Sequence, residues 1–345
     1  MKIIEFLPEE FSDEDWDRYF EHREQILKEQ NPYDPLPSRE PHKAYLFNPE
    51  PYFDLSWWIA VDEESNRIVG RGALWWDNEK SGNYEERQYD ARTDFILLPE
   101  YRTDENHAMF LLEVARKAKA HGKRELLFMS QSEHQFDFLN SLGGTMILRR
   151  TTNRMKMDTV DWSMIQSWMD EGPIRAKQVS LETFVDVPED DLEQFTDLYT
   201  DTWNGAPSDE ETSRTVFTPE QRRESEKNYR EQGKIWTTMI TRESNGDISG
   251  LTETWYHPES GHVIEQGLTG VREKYRGRGL GKWLKAAMLL HIRNEYPESK
   301  VVETKNAVVN APMLSINDRM GFRVHRQEMF RDYIIEDIIS KLSDY

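Results

Sequence analysis

Val271-Arg272-Glu273-Lys274-Tyr275-Arg276-Gly277-Arg278-Gly279-Leu280-Gly281-Lys282 joins an apolar, strand-like run to a helix-like one. Glycines at 277, 279 and 281 let the backbone turn tightly and approach a ligand without side-chain clash. The first turn of the following helix offers unpaired amide hydrogens and the positive end of its dipole. Together these features describe a pyrophosphate cradle. From 272 to 285 the cations Arg272, Lys274, Arg276, Arg278, Lys282 and Lys285 stand against Glu273 alone, in a chain of formal charge −20. This local reversal of charge points to an anionic ligand, and a solvated basic turn is the plainer alternative. Two other phosphate loops do not fit. A P-loop needs a hydroxyl after Gly281-Lys282, where Trp283 stands, and a dinucleotide fingerprint needs its third glycine one place later than Gly281.

Outward from this loop, the chain repeats itself. The run Asn66-Arg67-Ile68-Val69-Gly70-Arg71-Gly72-Ala73-Leu74-Trp75-Trp76 parallels Gly246-Asp247-Ile248-Ser249-Gly250-Leu251-Thr252-Glu253-Thr254-Trp255-Tyr256. Each follows another strand-like run, at 57–61 and 235–241, with polar turn residues between, so each half is expected to hold a β-hairpin. A third strand (93–98; 263–271) leads through Tyr-Arg into a helix. Met109, Leu112, Ala115 and Ala118 fall on one face of the first such helix, and Leu284, Ala287, Met288 and His291 on one face of the second. A further strand (125–129; 300–304) and a short helix ending at Gly143 or Gly321 complete each repeat. Capping signatures at 11–16 and 188–192 open the two repeats. The expected domains are 1–155, a linker with a helix at 156–177, and 178–345, the last ending in an amphipathic helix built on Ile334, Ile335, Ile338, Ile339 and Leu342.

The loop at 271–282 resembles the coenzyme A loop of the GNAT N-acetyltransferase superfamily, Arg/Gln-x-x-Gly-x-Gly/Ala, with Arg276, Gly279 and Gly281 at its defined places. The likeness continues through 304–317 to Gly321-Phe322, and the whole chain resembles tandem-GNAT proteins of the broad type that includes mycothiol synthase. The resemblance implies an α+β fold of two tandem GNAT-like domains. Each would be a mixed, largely antiparallel sheet flanked by helices, with splayed central strands in the C-terminal domain. It implies acyl transfer from acetyl-CoA, as cosubstrate, to a primary amine by direct attack within a ternary complex.

Residue by residue, the resemblance implies that Leu268, Thr269, Gly270 and Val271 pair with the pantetheine arm. Backbone amides of Arg276, Gly277, Arg278, Gly279, Leu280, Gly281 and Lys282 would hold the pyrophosphate. Asn310 matches an asparagine that contacts the coenzyme, and it is equally suited to capping a helix. The amine must lose a proton before attack. Glu265, six residues before Val271, is the candidate general base and Glu253 the second; either reads also as a solvent-facing strand carboxylate. Alternation puts 265, 267, 269 and 271 on one side unless a bulge near Gly267 or Gly270 intervenes. Asn317 stands where many members place an acidic tyrosine; it cannot donate a proton as an acid and is left an orienting role, with Tyr256 a substitute. A thiol of pKa ~8.5 leaves tolerably well without one.

The matching N-terminal stretch has Thr103, Glu105 and His107 in place of the three glycines, with Asp104 adding further negative charge. That half is expected not to bind coenzyme A. Tyr199, Trp203 and Asn204 lie in the region (198–232) that lines the acceptor cleft in the family, and the two aromatics read equally as core.

Of 345 residues none is cysteine, which excludes disulfides, thiolate metal sites and cysteine nucleophiles. The nine histidines show no metal spacing, so no metal is expected. The acidic balance argues against nucleic-acid binding and suits a small cationic acceptor, or simply solubility. No apolar run reaches the ~20 residues of a membrane helix, and charge interrupts the first five residues, so a cytoplasmic monomer or homodimer is expected. The alternative to an enzyme is a catalytically silent coenzyme A sensor, kept open by Asn317.

Overall fold

The computed structural model describes residues 1–207, 214–343 and 345. The chain divides into two compact units, and the division does not fall at one point in the sequence. Of the described residues, the first holds 1–150 and 326–345; the second holds 151–207 and 214–325.

In the first unit β1 (Lys2–Phe6) is followed by α1 (Asp13–Gln30) and α2 (Glu40–Phe47). Ser12 and Asp15 form a reciprocal capping box that starts α1. Then come β2 (Phe53–Val61), β3 (Ile68–Asp77), the single turn α3 (Tyr84–Arg87) and β4 (Asp90–Leu97). Next are α4 (Asp104–Ala120), β5 (Glu125–Ser130) and α5 (Phe136–Ser141). The buried face of α4 is set by Phe110, Leu111 and Val114 together with Ala115 and Ala118, whereas Met109 is exposed. The expected face was thus about a third of a turn off, because Phe110 and Leu111, not Met109, fill the space over the sheet.

Strand β6 (Thr145–Lys156) takes the chain into the second unit, where α6 (Trp162–Arg175), β7 (Val179–Phe184), α7 (Leu192–Asn204) and α8 (Pro219–Glu231) follow. The hairpin of β8 (Ile235–Glu243) and β9 (Ile248–Tyr256) leads to β10 (Val263–Val271), α9 (Leu280–Glu295), β11 (Val301–Ala307) and α10 (Ala311–Met320). Finally β12 (Arg323–Ile334) returns to the first unit and ends in α11 (Ile335–Leu342).

The repeat is therefore real, with one exchange. Strand order is β1-β2-β3-β4-β5-β12 in the first unit and β7-β8-β9-β10-β11-β6 in the second. Each is a mixed sheet: hairpin pairs are antiparallel, and β4–β5 and β10–β11 are parallel. The last strand of each repeat closes the other repeat's sheet. Met329–Ile334 pairs antiparallel with Ser130–Glu125. Arg154, on β6, donates to Glu303 of β11 at 2.7 Å.

Two expectations are corrected by this exchange. The C-terminal helix does not belong to the second domain: Tyr333, Ile335, Ile338 and Leu342 pack with Leu111, Val114 and Phe128 in the core of the first. Nor is 156–177 a linker, since Ile165 and Trp168 are buried in the core of the second unit with Leu284 and Met288.

Removing buried side-chain volume at Ile338 should cost about 2–5 kcal/mol on Ile338→Ala, including the cavity left behind. Hydrogen exchange should show lost protection in α4 and β5 with α9 unchanged; a loss confined to α9 would contradict the exchange.

Candidate functional site

Strand β10 departs from regular pairing where it matters. Its register against β9 shifts between Gln266 and Thr269, so Gly267 and Leu268 form a bulge. Glu265 and Thr269 therefore face opposite sides of the sheet, and the expected single-sided set 265, 267, 269, 271 is broken. On the other edge, the parallel ladder with β11 covers only Val263–Glu265 against Val301–Glu303. Beyond it β10 runs on to Val271 and β11 to Ala307 without a further register pair among the described residues. The two strands part immediately after Glu265, with Thr304 Oγ1 donating to the Gln266 carbonyl at 3.0 Å at the start of the split.

The loop lies at the far end of β10. Gly277 and Gly279 have φ of 81° and 83°, the left-handed region that only glycine enters freely. Gly279 is the N-cap of α9 and supplies no side-chain cap, so the first amide hydrogens of a 16-residue helix look for partners elsewhere. Gly281 lies in the first turn, and a β-carbon there would meet only Ile316 Cδ1 at 3.9 Å and Val271 Cγ2 at 4.0 Å, ordinary contacts. Nothing among the described residues requires glycine at 281; a ligand lying against the turn would. These features fit a diphosphate. The corresponding α4 opens differently: Thr103 accepts from Asn106 N at 3.2 Å, and Arg102 is held by Glu29.

The basic character of the loop is smaller than its sequence suggests. Arg272 meets Asp201 at 3.3 Å, Lys274 meets Asp247 at 2.7 Å and Arg278 meets Glu243 at 2.8 Å. Arg276 is exposed, with its Nε donating to the Val271 carbonyl at 3.1 Å, and Lys282 lies 5.7 Å from the Trp168 ring centre. One cation that sequence reasoning missed joins them. Arg175, at the end of α6, places Nε 3.4 Å from where a Gly279 β-carbon would sit. No local signal could have found it, because 156–177 read as a connector.

Lys285 leaves the loop altogether. It is buried in the second turn of α9, donating to Gln266 Oε1 at 2.9 Å and Asn317 Oδ1 at 2.7 Å. Burial pushes its ammonium down to about 7. Asn317, buried as well, donates in turn to Asn306 Oδ1 at 2.6 Å. This network ties the bulged strand to α10, and it occupies the Asn317 side chain. Tyr256 sits elsewhere, stacked on Tyr296 with ring centres 4.0 Å apart and bonded to Glu298, with its phenol raised to about 12 chiefly by burial.

The two carboxylate candidates separate cleanly. Glu265 is exposed on β10 beside the split, its Cα in register with Trp255 and Glu303. Glu253 is fully buried, bonded by Arg222 at 2.5 Å and by Thr238 at 3.1 Å. Burial raises its carboxyl above the usual range against the pull of Arg222. Asn310 caps α10, accepting from Met313 N at 3.4 Å. Of the acceptor region, Tyr199 packs on Phe217 with ring centres 4.8 Å apart, Trp203 is exposed and also contacts Phe217, and Asn204 donates to two backbone carbonyls. Residues 208–213 lie outside the described residues. Among the described residues no His, Asp and Glu cluster is placed to hold a metal, and no helix is long and apolar enough to cross a membrane.

Two mixed sheets with a bulged, splayed strand pair and a glycine-opened helix in the second define a tandem GNAT fold. Known structures agree. A tandem GNAT protein from the clavulanic acid biosynthesis pathway, solved without acetyl-CoA, superposes over 97% of this chain and 98% of its own, with a TM-score of 0.76 at 20% identity. A GCN5-related N-acetyltransferase from Sphaerobacter thermophilus matches 81% of this chain and 80% of its own (TM-score 0.57, 14% identity). A glucosamine N-acetyltransferase region of a fungal multi-domain β-N-acetylglucosaminidase matches 96% of this chain and 38% of its own (TM-score 0.62, 12% identity). No described family and no curated protein matches at the level of sequence.

Two outcomes test this geometry. Gly281→Ala should leave the protein as stable as before, or steadier by about 0.5–1 kcal/mol, while weakening coenzyme A binding in calorimetry. Lys285 has a folded-state pKa below its unfolded value of 10.5, so its protonated form burdens the native state. That burden is complete below pH 7 and lifts as pH rises toward 10.5. In urea unfolding, the stability of the wild type relative to Lys285→Met should climb over that window by up to about 1.4 kcal/mol per pH unit. A flat difference would mean that the amine is not buried.

Proposed function

We propose that the second unit transfers an acyl group, acetyl in the simplest case, from acetyl-CoA to a primary amine of a small acceptor, a cation being the kind that the acidic balance of the chain favours. The observation that supports this reading above all is the uncapped N-terminus of α9, opened by left-handed Gly277 and Gly279 at the end of a splayed strand. Amides of Arg276, Gly277, Arg278, Gly279, Leu280, Gly281 and Lys282 would hold the diphosphate, with Arg175 adding charge. The free edge of β10 at Leu268, Thr269, Gly270 and Val271 would align the pantetheine arm, and Asn310 lies beyond the split at the head of α10. Bound there, the coenzyme supplies the activated acyl group.

The residues of the chain then have distinct tasks. Glu265, exposed next to the split, takes the proton from the acceptor nitrogen onto a carboxylate oxygen, directly or through water. Glu253 is a structural ion-pair partner of Arg222, not a base. Lys285 and Asn317 fix the bulge and α10. The first unit, with Thr103 capping α4, does not take part in coenzyme binding. The chain works without a metal, as a monomer or homodimer in the cytoplasm.

The full engagement of Asn317 with Lys285 and Asn306 favours one second reading, a coenzyme A-binding protein without turnover. Thiol release from acetyl-CoA over a panel of amines separates the two. Wild type should release thiol with at least one amine. Glu265→Gln should lower kcat by about 10²-fold or more with coenzyme affinity unchanged. Gly279→Glu should abolish coenzyme binding. Tight binding with no thiol release from any amine selects the second reading, and normal affinity in Gly279→Glu rejects the cradle.

A further inference from the structure

The first unit has no phosphate cradle, yet it encloses a cavity of about 360 Å³, within the size range of small-molecule pockets. Its floor is one face of β2, β3 and β4. Register pairs Trp57↔Ala73, Ala73↔Asp94, Arg71↔Ile96 and Leu55↔Trp75 put Trp57, Arg71, Trp75 and Asp94 on that face together. Its roof comes from α1 and α2. Tyr19 and His42 stack there with ring centres 5.8 Å apart and a 3.0 Å bond between Oη and Nε2, and Tyr45 meets Trp57 edge-on at 5.4 Å.

The space exists because of a substitution between the repeats. With Gly70 aligned to Gly250, Ala73 corresponds to Glu253. In the second unit that face is filled: Arg222 binds Glu253 and lies 3.7 Å from the Trp236 ring centre and 4.7 Å from that of Phe195. In the first unit a methyl group stands at this place, and the volume stays open.

Both signs of charge line the cavity. Arg71 Nε is buried and has no hydrogen-bond partner among the described residues. On the Tyr19 phenol, after burial, Arg71 is the leading influence and Asp94 acts in the opposite sense; Arg71 also helps to lower Arg23 to about 10. Asp94 and Glu50 act on the α2 side, where after burial they are the leading causes that raise the Tyr45 phenol. Both carboxylates line the cavity. A guanidinium with a buried, unpartnered Nε, two carboxylates and aromatic walls around one cavity suit a ligand with both charges and an apolar body.

We propose that this cavity binds a small zwitterion of the α-amino-acid type with an apolar or aromatic side chain. Its carboxylate lies on Arg71, its ammonium toward Asp94 and Glu50, and its side chain among Trp57, Trp75 and Tyr45. This site is independent of acyl transfer in the second unit.

Calorimetric titration of the full chain tests it with three sets of probes: L-phenylalanine, L-leucine and L-tryptophan; phenethylamine, which lacks the carboxylate; and 3-phenylpropionate, which lacks the ammonium. At least one amino acid should bind, and phenylalanine should exceed each of its truncated analogues by about tenfold or more, the worth of a charge-assisted hydrogen bond. Arg71→Met should lose the advantage of phenylalanine over phenethylamine, and Asp94→Asn should reduce its advantage over 3-phenylpropionate, with near-UV circular dichroism confirming native packing in both. Coenzyme affinity should be unchanged in Arg71→Met, and amino-acid binding unchanged in Gly279→Glu, so the two sites fail separately. No binding of any of the three amino acids at millimolar concentration, or equal affinity for phenylalanine and phenethylamine, overturns the proposal.

Discussion

A helix that starts at a glycine has no side chain with which to satisfy its own first amide hydrogens. At α9 the constraint is sharpened by left-handed geometry at Gly277 and Gly279, which aims the backbone but contributes no atoms beyond it. The surroundings are arranged around that opening. Carboxylates from α7 and from the β8–β9 hairpin hold Arg272, Lys274 and Arg278 to the flanks, which fixes the shape of the loop and moderates its charge. The parting of β10 from β11 makes a second opening of unpaired backbone, continuous along β10 with the first. Among the described residues both openings lack the same thing, hydrogen-bond partners for main chain, and one extended anionic ligand with an amide-bearing arm would supply partners for both.

The network beneath the split shows what keeps it open. A parallel pair continuing past Glu265 would draw β10 and β11 together. Instead Gln266, at the start of the bulge, turns its amide toward Lys285, and Lys285 reaches Asn317 on the other side. An amine with two carbonyl acceptors ties β10 to α10, and Asn317 carries the tie on to Asn306 of β11. Burial of that amine is unfavourable in its charged form, and two strong acceptors offset part of the cost. Apolar packing there would be cheaper but would not specify the separation of the strands.

What was legible in the sequence was local. The glycine spacing at 277–281, the caps at Ser12 and Asn310, and the hairpin turns each depend on backbone conformations that a few neighbouring residues dictate, and all are found. What escaped was decided at long range. The residues of β12 read as a strand whichever sheet receives them, and nothing in Ile335, Ile338 and Leu342 says that α4 is their partner. The basic run could be counted, but Asp201, Glu243 and Asp247, which neutralise half of it, come from other segments. Lys285 reads as one more loop cation because helical spacing alone does not reveal which turn of α9 dives beneath the sheet. Glu253 reads as a second candidate behind Glu265 until Arg222 is seen to claim it.

Comparison of the repeats position by position suggests how one fold came to hold two different concavities. Where the second repeat has Gly279, the first places Thr103-Asp104-Glu105, closing the helix end with a cap and like charges that repel phosphate. Where the second repeat has Glu253, drawing in Arg222 to fill the face beneath α7 and α8, the first has Ala73 and leaves the face beneath α1 and α2 open. The substitutions are opposite in effect. A buried ion pair stabilises weakly for its size, yet it removes a cavity; an alanine leaves one lined by whatever the neighbouring strands present. In the first repeat those neighbours are Arg71, Asp94 and indole rings, and the buried Nε of Arg71 has no hydrogen-bond partner among the described residues, which costs hydration without return until a ligand supplies an acceptor.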